Sequence, residues 1–336
     1  MAFRAILTTL ILLQWVTASP ALNSSIKTYE YPEGLDRAHS YTIQVKQSTG
    51  GLHTVESYNA IVSEANTTSG KGIEHNTSFA LFDFEGPIEL SVAYNNGPVK
   101  SAVIRPYSYG IKPTVKGNTI SFTLDRPRNV VVQVNDDVFD TLQLFTNALE
   151  TNIPSQQDPN VVYFGPGINN GPSSKNGTLV VPSGKSTMDG VTIRNIDILD
   201  HREPQLWYQG CIAINPGDSN LIQNIHIENV RVEDFRLGQL LNFRVMYNSK
   251  YNTSPGKGIR NVYVKNLVYN GSHANPSLFL GYDRDRNISN VTFVDLRIND
   301  KLIDDDMAKP SWYYTADFVP MFANEYVEGL NFTSEQ

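Results

Sequence analysis

General acid–base hydrolysis asks for two carboxyl groups held a fixed distance apart, so the acids are the first residues to weigh. The 336-residue chain offers an adjacent pair, Asp136-Asp137, a run Asp304-Asp305-Asp306, and the single Asp218 in NPGDSN. Each reads more simply as structure: the pair closes a β-rich segment, the run is a solvated loop past the last repeat, and Asp218 is a turn residue. A second group suits planar, hydroxyl-rich ligands. Arg202, Trp207 and Tyr208 lie in DHREPQLWYQG, Tyr282 and Asp283 lie in GYDRDR, and His226 points outward from a repeat. Guanidinium and aromatic groups make good contacts to sugar faces and hydroxyls, although packing across loop ends explains the aromatics equally well. The six histidines are dispersed and none sits at ligand spacing with cysteine or acid partners, so neither a metal nor another cofactor is expected.

The elements that would position these residues announce themselves through an unusual rhythm. In IQNIHIENVRVEDF (222–235) the apolar residues Ile222, Ile225, Ile227, Val230 and Val232 step by 3, 2, 3 and 2. A helical rotation of about 100° per residue scatters them around the axis, and a flat strand would throw them to opposite faces at each step of three. If the chain bends at each step of three, all five point inward and Asn224 and Asn229 occupy the bends, where asparagine tolerates the left-handed conformation. The same template recurs in MDGVTIRNIDI (188–198), IRNVYVKNLVY (259–269) and ISNVTFVDLRI (288–298), with VEGLNF (327–332) as a broken fifth copy. Periods of roughly 30 to 40 residues mean stacked repeats.

Leucine-rich repeats share the first apolar positions but want Asn or Cys at position 9, which is here Ile196, Val230, Leu267 and Leu296. The polar ladder sits one place earlier, at Asn195, Asn229, Asn266 and Asp295. A parallel β-helix accommodates it better, because rungs about 4.8 Å apart let stacked asparagines hydrogen-bond along the column. A leucine-rich repeat and a plain sandwich remain as alternatives.

Composition bounds the setting. MAFRAILTTLILLQWVTASPA has a basic Arg4, an apolar run from Ala5 to Val16 and small residues near Ala18, which marks residues 1–18 as a secretory signal peptide too short to span a membrane. No other long apolar segment follows, so the mature chain is expected to be secreted, extracellular, off the membrane and monomeric. Sequons at Asn23, Asn66, Asn76, Asn176, Asn252, Asn270, Asn287 and Asn331 are glycosylation candidates, whereas the sequon at Asn290 falls on a bend and should stay bare. Cys211 is the only cysteine, so no intrachain disulfide forms, and in the run Cys211-Ile212-Ala213-Ile214 it reads as a buried thiol. Net charge is −7 and no basic patch stands out, which argues against a nucleic-acid partner.

Residues 19–150 have another texture. YTIQVK (41–46), SYNAIV (57–62), FALFDF (79–84), IELSVAY (88–94), VKSAVIR (99–105), TISFTL (119–124) and VVVQV (130–134) are short β-rich runs separated by Gly, Asn and Pro turns, the pattern of an antiparallel sandwich. The boundary falls near 150, with 151–336 assigned to the β-helix and a C-terminal cap.

The succession VNDDVFDTLQLFTNALE, VVYFGPG, LVVPSGK and then β-helix rungs, closing on GCIAINPGDSN and KPSWYYTADFVPMF, resembles the pectin-lyase-like glycoside hydrolases. It is similar to the polygalacturonase family (glycoside hydrolase family 28) and to the neighbouring dextranase and isopullulanase branch, which carries an N-terminal sandwich. The resemblance implies an all-β fold, an N-terminal sandwich followed by a short right-handed parallel β-helix, and a polysaccharide partner, pectin-like or glucan-like, in a cell-wall or carbohydrate-metabolism setting. It also implies a pair of carboxylates, about 5 to 5.5 Å apart for retention or 6.5 to 9.5 Å for inversion. The outward columns read Asp189, Gln223, Arg260, Ser289; Thr192, His226, Tyr263, Thr292; Arg194, Glu228, Lys265, Val294; and Asp197, Arg231, Val268, Arg297, with no two acids adjacent. The family's Asn-Thr-Asp, Asp-Asp, Gly-His-Gly and Arg-Ile-Lys motifs are missing too, so the catalytic residues are unassigned. Two alternatives to an active hydrolase follow: a non-catalytic carbohydrate-binding remnant, and a gene model that has lost central rungs between Lys185 and Met188.

Overall fold

A computed structural model describes residues 25–335 except 33, 36, 48–49, 67–68, 70, 154, 156, 158–186, 204–206 and 208. The segments FGPG and PSGK, with Tyr208, Asn23 and Asn176, lie outside the described residues. No α-helix occurs among the described residues; strands are joined by turns, with short 3-10 turns at Tyr107–Tyr109 and Thr315–Asp317.

The 3-2-3-2 rhythm is a parallel β-helix. Its long-strand sheet stacks Thr187–Asp189 and Thr192–Ile198 on Leu221–Val232, then Gly258–Tyr269, Ile288–Val294 with Leu296–Ile298, and Val327–Thr333. Met188, Ile222, Ile259, Ile288 and Val327 are successive Cα partners, so the five copies stack in the register that the template demands. The bends fall on the asparagines. Asn224, Asn261 and Asn290 have φ between 53° and 56°, and Asn195, Asn229, Asn266 and Asp295 lie between 54° and 59°. Where the first column lacks Asn it has glycine, Gly190 at φ 74° and Gly329 at φ 66°, which adopts this region without steric cost. Asn290 Nδ2 donates to Asn261 Oδ1, and Asn261 Nδ2 to Asn224 Oδ1, both at 2.9 Å; Asn224 Nδ2 ends the column on Asp189 Oδ1 at 2.7 Å.

A second sheet of short strands, Ile212–Ile214, Leu241–Arg244, Ser277–Leu280 and Met321–Ala323, is also parallel and closes the solenoid from another side. A third contact pairs His201–Arg202 with Phe235–Arg236. Between these walls lies one core, in which Ile225, Ile227, Val230, Phe235, Phe243, Val262, Leu267, Phe279, Phe293 and Leu296 are buried. Phe243 packs edge-on to Phe279 at 5.1 Å and Phe279 edge-on to Phe293 at 6.1 Å, and such pairs add to their burial. On the first described rung the inward positions Met188, Ile193 and Ile196 remain 52%, 41% and 38% exposed.

Before the solenoid, two sheets face each other. One orders strands β-wise as Ser25–Thr28, Gly72–Glu85, Leu142–Asn147, Val130–Val134 and Ala102–Arg105, with Ser57–Ala65 also on Gly72–Glu85. The other holds Leu52–Val55, Tyr41–Gln47, Ile88–Tyr94, Thr119–Leu124 and Thr114–Lys116. Alternate residues from both, among them Ile43, Val45, Phe82, Phe84, Leu90, Val92, Phe122, Val132 and Leu144, fill a second core. The pairing is antiparallel with one departure: Leu142–Asn147 runs parallel to Gly72–Glu85. That strand was not among the seven runs, because QLFTN carries too few β-branched residues to stand out.

Ion pairs join the two parts. Arg105, 7% exposed, donates from Nε to Glu233 Oε2 at 2.7 Å and from Nη1 to Gln133 Oε1 at 3.2 Å, and also reaches the Leu199 carbonyl. Glu64 stands 3.1 Å from Arg236, 3.6 Å from Arg202 and 3.2 Å from His75.

Candidate functional site

Strand alternation sorts the short-strand sheet into two faces. Leu241 and Phe243 go to the core, so Asn242 and Arg244 point to the opposite face; by register Ala213 and Asn215 lie beside them on one side, Leu278 and Leu280 on the other, and then Phe322 and Asn324, with Asn242 and Leu278 themselves buried. Asn215 Nδ2 donates to Asn242 Oδ1 and to the Asn242 carbonyl, both at 3.2 Å, which orients the Asn242 amide. The Asn242 Nδ2 and the Gln239 Nε2 are buried and find no acceptor among the described residues. An orphaned buried donor costs about 1–3 kcal/mol, and such losses are kept where a site needs them.

Arg244 is the distinctive group on this face. Among the described residues its guanidinium makes one hydrogen bond, from Nε to the Met246 thioether sulfur at 2.9 Å, and pairs with no carboxylate. Desolvation holds its guanidinium below the ordinary arginine value, with no opposing charge to restore it. Among the described residues no hydrogen bond from its two terminal nitrogens is seen. The other arginines outside ion pairs, Arg126, Arg194, Arg260, Arg284 and Arg297, are all exposed on the surface.

Aromatic side chains flank the face. Tyr247 and Tyr282, on the loops leaving Leu241–Arg244 and Ser277–Leu280, stand edge to face at 6.3 Å and are 46% and 42% exposed. At the entry side Trp207, 54% exposed, holds the left-handed φ of 62° and donates its backbone N–H to Gln239 Oε1 at 3.2 Å. A bulky residue in that conformation is strained, and strain collects where a side chain must be presented. The strand between these flanks spans about 10 Å, the breadth of one to two sugar rings.

The residues singled out from the sequence divide accordingly. Trp207 and Tyr282 border this face. Asp283 caps its own turn, accepting from the backbone N–H of Arg286 at 2.8 Å and pairing with the Arg286 guanidinium. Arg202 lies at the junction with the sandwich, 2.9 Å from Asp200 and over the Phe139 ring at 5.2 Å. His226 sits on the long-strand sheet, 2.7 Å from Glu228 and edge-on to Tyr263. Arg244, Asn242 and Tyr247 were missed. The signal was LNFR (241–244), where polar residues alternate with core residues inside a buried strand.

The acids are structural. Asp137 Oδ1 accepts from Phe139 and Asp140 N–H groups, and Asp218, at φ 51°, accepts from Thr253 N–H and Asn252 Nδ2. Asp305 lies exposed, as expected of a solvated loop, yet it also accepts from Thr315 Oγ1 at 2.6 Å and from the Phe332 N–H at 2.8 Å and so pins the last rung. Burial pushes the Cys211 thiol up to about 12. Among the described residues no group of three His, Cys, Asp or Glu is disposed to hold a metal, and no helix is long and apolar enough to cross a membrane.

Comparison with protein-family models and with curated protein sequences returns no match. Among solved structures the chain is similar to Dex49A from Penicillium minioluteum, at 12% identity and a TM-score of 0.42, over 91% of this chain and 90% of that one.

Proposed function

We propose that this chain is a secreted polysaccharide-binding β-helix protein of glycoside-hydrolase-like architecture, which lays a sugar chain across the outer face of the short-strand sheet. The carrying observation is Arg244, a half-buried guanidinium without a carboxylate partner among the described residues, on the strand that leads into the exposed Tyr247. A carboxylate on the sugar would take both donors in a planar, bidentate pair, so acidic, pectin-like chains are favoured over neutral glucans. The outward residues of that sheet among those described include no acid, which supports binding over hydrolysis by this face.

Affinity electrophoresis through gels containing polygalacturonate, methyl-esterified pectin or dextran tests this reading. Retardation by polygalacturonate, reduced at least tenfold in apparent affinity by Arg244→Gln, is the expected result. Equal retardation by dextran removes the acidic preference, and no retardation in any gel removes binding. Release of reducing ends from any of these polymers by purified protein would restore the hydrolase reading.

A second reading concerns the first described rung, where Met188, Ile193 and Ile196 are exposed. The residues that precede this rung, 158–186, lie outside the described ones, so the reading rests on the abrupt join in the sequence after Lys185: additional rungs between Lys185 and Met188 in the full gene product. Sequencing the transcript across the codons for Val181 to Val191 decides it: added codons for rung-like sequence support it, and an uninterrupted join removes it.

A further inference from the structure

The turn Tyr107–Tyr109 of the sandwich meets the β-helix beside a cleft of about 370 Å³ lined by Tyr107, Ser108, Arg231, Val232, Val268 and Asn270. Tyr107 is anchored there by its backbone N–H on Glu233 Oε1, and Glu233 is also the partner of Arg105, so the cleft lies against the main ion pair between the two parts. The Tyr107 ring nevertheless remains 58% exposed, and Arg105 stacks over it at 5.3 Å. An exposed ring, the Val268 side chain, the Ser108 hydroxyl and the Asp197-paired Arg231 around one hollow, with Glu233 at its edge, make a surface matched to a saccharide ring with an acetamido group.

One lining residue can supply that ring covalently. Asn270 begins the sequon Asn-Gly-Ser, is exposed, and follows directly on the strand Gly258–Tyr269. Its side chain is held in place by Asp300: the Asn270 Oδ1 accepts from the Asp300 N–H at 3.0 Å, and the Nδ2 donates to Asp300 Oδ1 at 3.3 Å. One of the two Nδ2 hydrogens suffices for that bond, which leaves the other for substitution. Two other sequons among the described residues are committed elsewhere. Asn252 Nδ2 donates to Asp218 and is backed by Gly217, where even a β-carbon would come within 2.6 Å of it, and Asn290 Nδ2 is committed to the asparagine column.

We propose that Asn270 carries an N-linked glycan whose first N-acetylglucosamine lies in this cleft and ties the Tyr107 turn to the β-helix. This rests on the secretory part of the reading above. The transfer forms a bond from Asn270 Nδ2 to the anomeric carbon of the sugar and breaks the bond from that carbon to a polyprenyl pyrophosphate donor; the amide proton is lost and the pyrophosphate leaves. The ring then packs on Tyr107, its acetamido methyl meets Val268, and the Ser108 hydroxyl, which donates to Asp197 Oδ1, is left to accept from a ring hydroxyl beside the Arg231–Asp197 pair.

The test uses the full chain exported from a eukaryotic host, with peptide mass spectrometry for occupancy and thermal unfolding for the strap. Ser272→Ala removes the sequon and leaves the Asn270–Asp300 contacts in place; it should lower Tm by about 2–4 °C. Asn76→Gln, which removes a sequon on the sandwich, should leave Tm unchanged. Trimming every glycan to one N-acetylglucosamine should also leave Tm unchanged, because only the first ring is in the cleft. Tyr107→Ala should cost a similar amount in the glycosylated protein and add nothing in the Ser272→Ala background, a coupling that a merely structural tyrosine does not show. Protein made in bacteria should give the same Tm with and without Ser272→Ala. A glycan on Asn76 with bare Asn270, or an occupied Asn270 whose loss leaves Tm unchanged, overturns the strap alone. Failure of export with no sequon occupied overturns the secretory reading beneath it.

Discussion

Asn261 sits at the centre of the asparagine column and lets its contribution be separated into two parts. Its Nδ2 donates to Asn224 Oδ1 and its Oδ1 accepts from Asn290 Nδ2, both at 2.9 Å, while its backbone holds φ 53°. Alanine removes both hydrogen bonds, each about 0.5–1 kcal/mol at an exposed position. It also forces an unassisted β-carbon into the left-handed region, for about 1–2 kcal/mol more. The total is about 2–4 kcal/mol. Glycine removes the same bonds without the steric part, so Asn261→Gly should cost about 1–2 kcal/mol. Aspartate keeps the acceptor for Asn290 and loses the donor to Asn224, which places it between wild type and alanine. Guanidinium unfolding followed by circular dichroism gives the three differences on one scale. Equal losses for alanine and glycine would refute the role assigned to the bend, and an alanine variant within about 0.5 kcal/mol of wild type would refute the column as a source of stability.

Four further outcomes follow from contacts described above. Arg105→Ala leaves the nearly buried Glu233 carboxylate without its charge partner and should cost about 3–5 kcal/mol, read as a drop in the unfolding midpoint. Phe243→Ala opens the fully buried stack against Phe279 and should cost about 3–5 kcal/mol by the same measurement. Cys211, with its thiol pushed up to about 12, should resist alkylation at pH 8 until the protein is unfolded; rapid labelling of native protein would show the burial to be wrong. Hydrogen bonds from Asn252 and Thr253 hold the Asp218 carboxyl below its ordinary value of 3.8, so its stabilising effect is complete above that pH and is lost as pH falls through the lower folded value. Acid titration of stability should therefore show a decline below about pH 4 that Asp218→Asn lessens.

The solenoid was legible because two independent requirements coincide at each bend. A step of three in the apolar pattern and a residue able to hold positive φ fall together at Asn224, Asn229, Asn261 and Asn266, and a chance pattern rarely satisfies both. The short-strand sheet was not legible. Its strands are three or four residues long, too brief to establish a period, and long loops of unlike length separate them. Arg244 was hidden for the same reason: a guanidinium in a four-residue strand reads as surface until the register shows Asn242 buried beside it. The position of Arg202 depends on Glu64 and Phe139, far away in sequence, which no local pattern reports.

The left-handed bends divide the molecule into a repeated metronome and a free margin. The first four rungs return to a left-handed backbone at the same two places, and the last does so once at Gly329, so the beat is kept inside the long strand. Whatever happens between beats, in the turn NPGDSN, in the stretch from Tyr247 to Lys257 or in GYDRDR, is repaid before the next bend and never reaches the following storey. A loop there can lengthen, gain a tyrosine or present an arginine without retuning the core. Such a chain can acquire or lose ligand contacts one storey at a time.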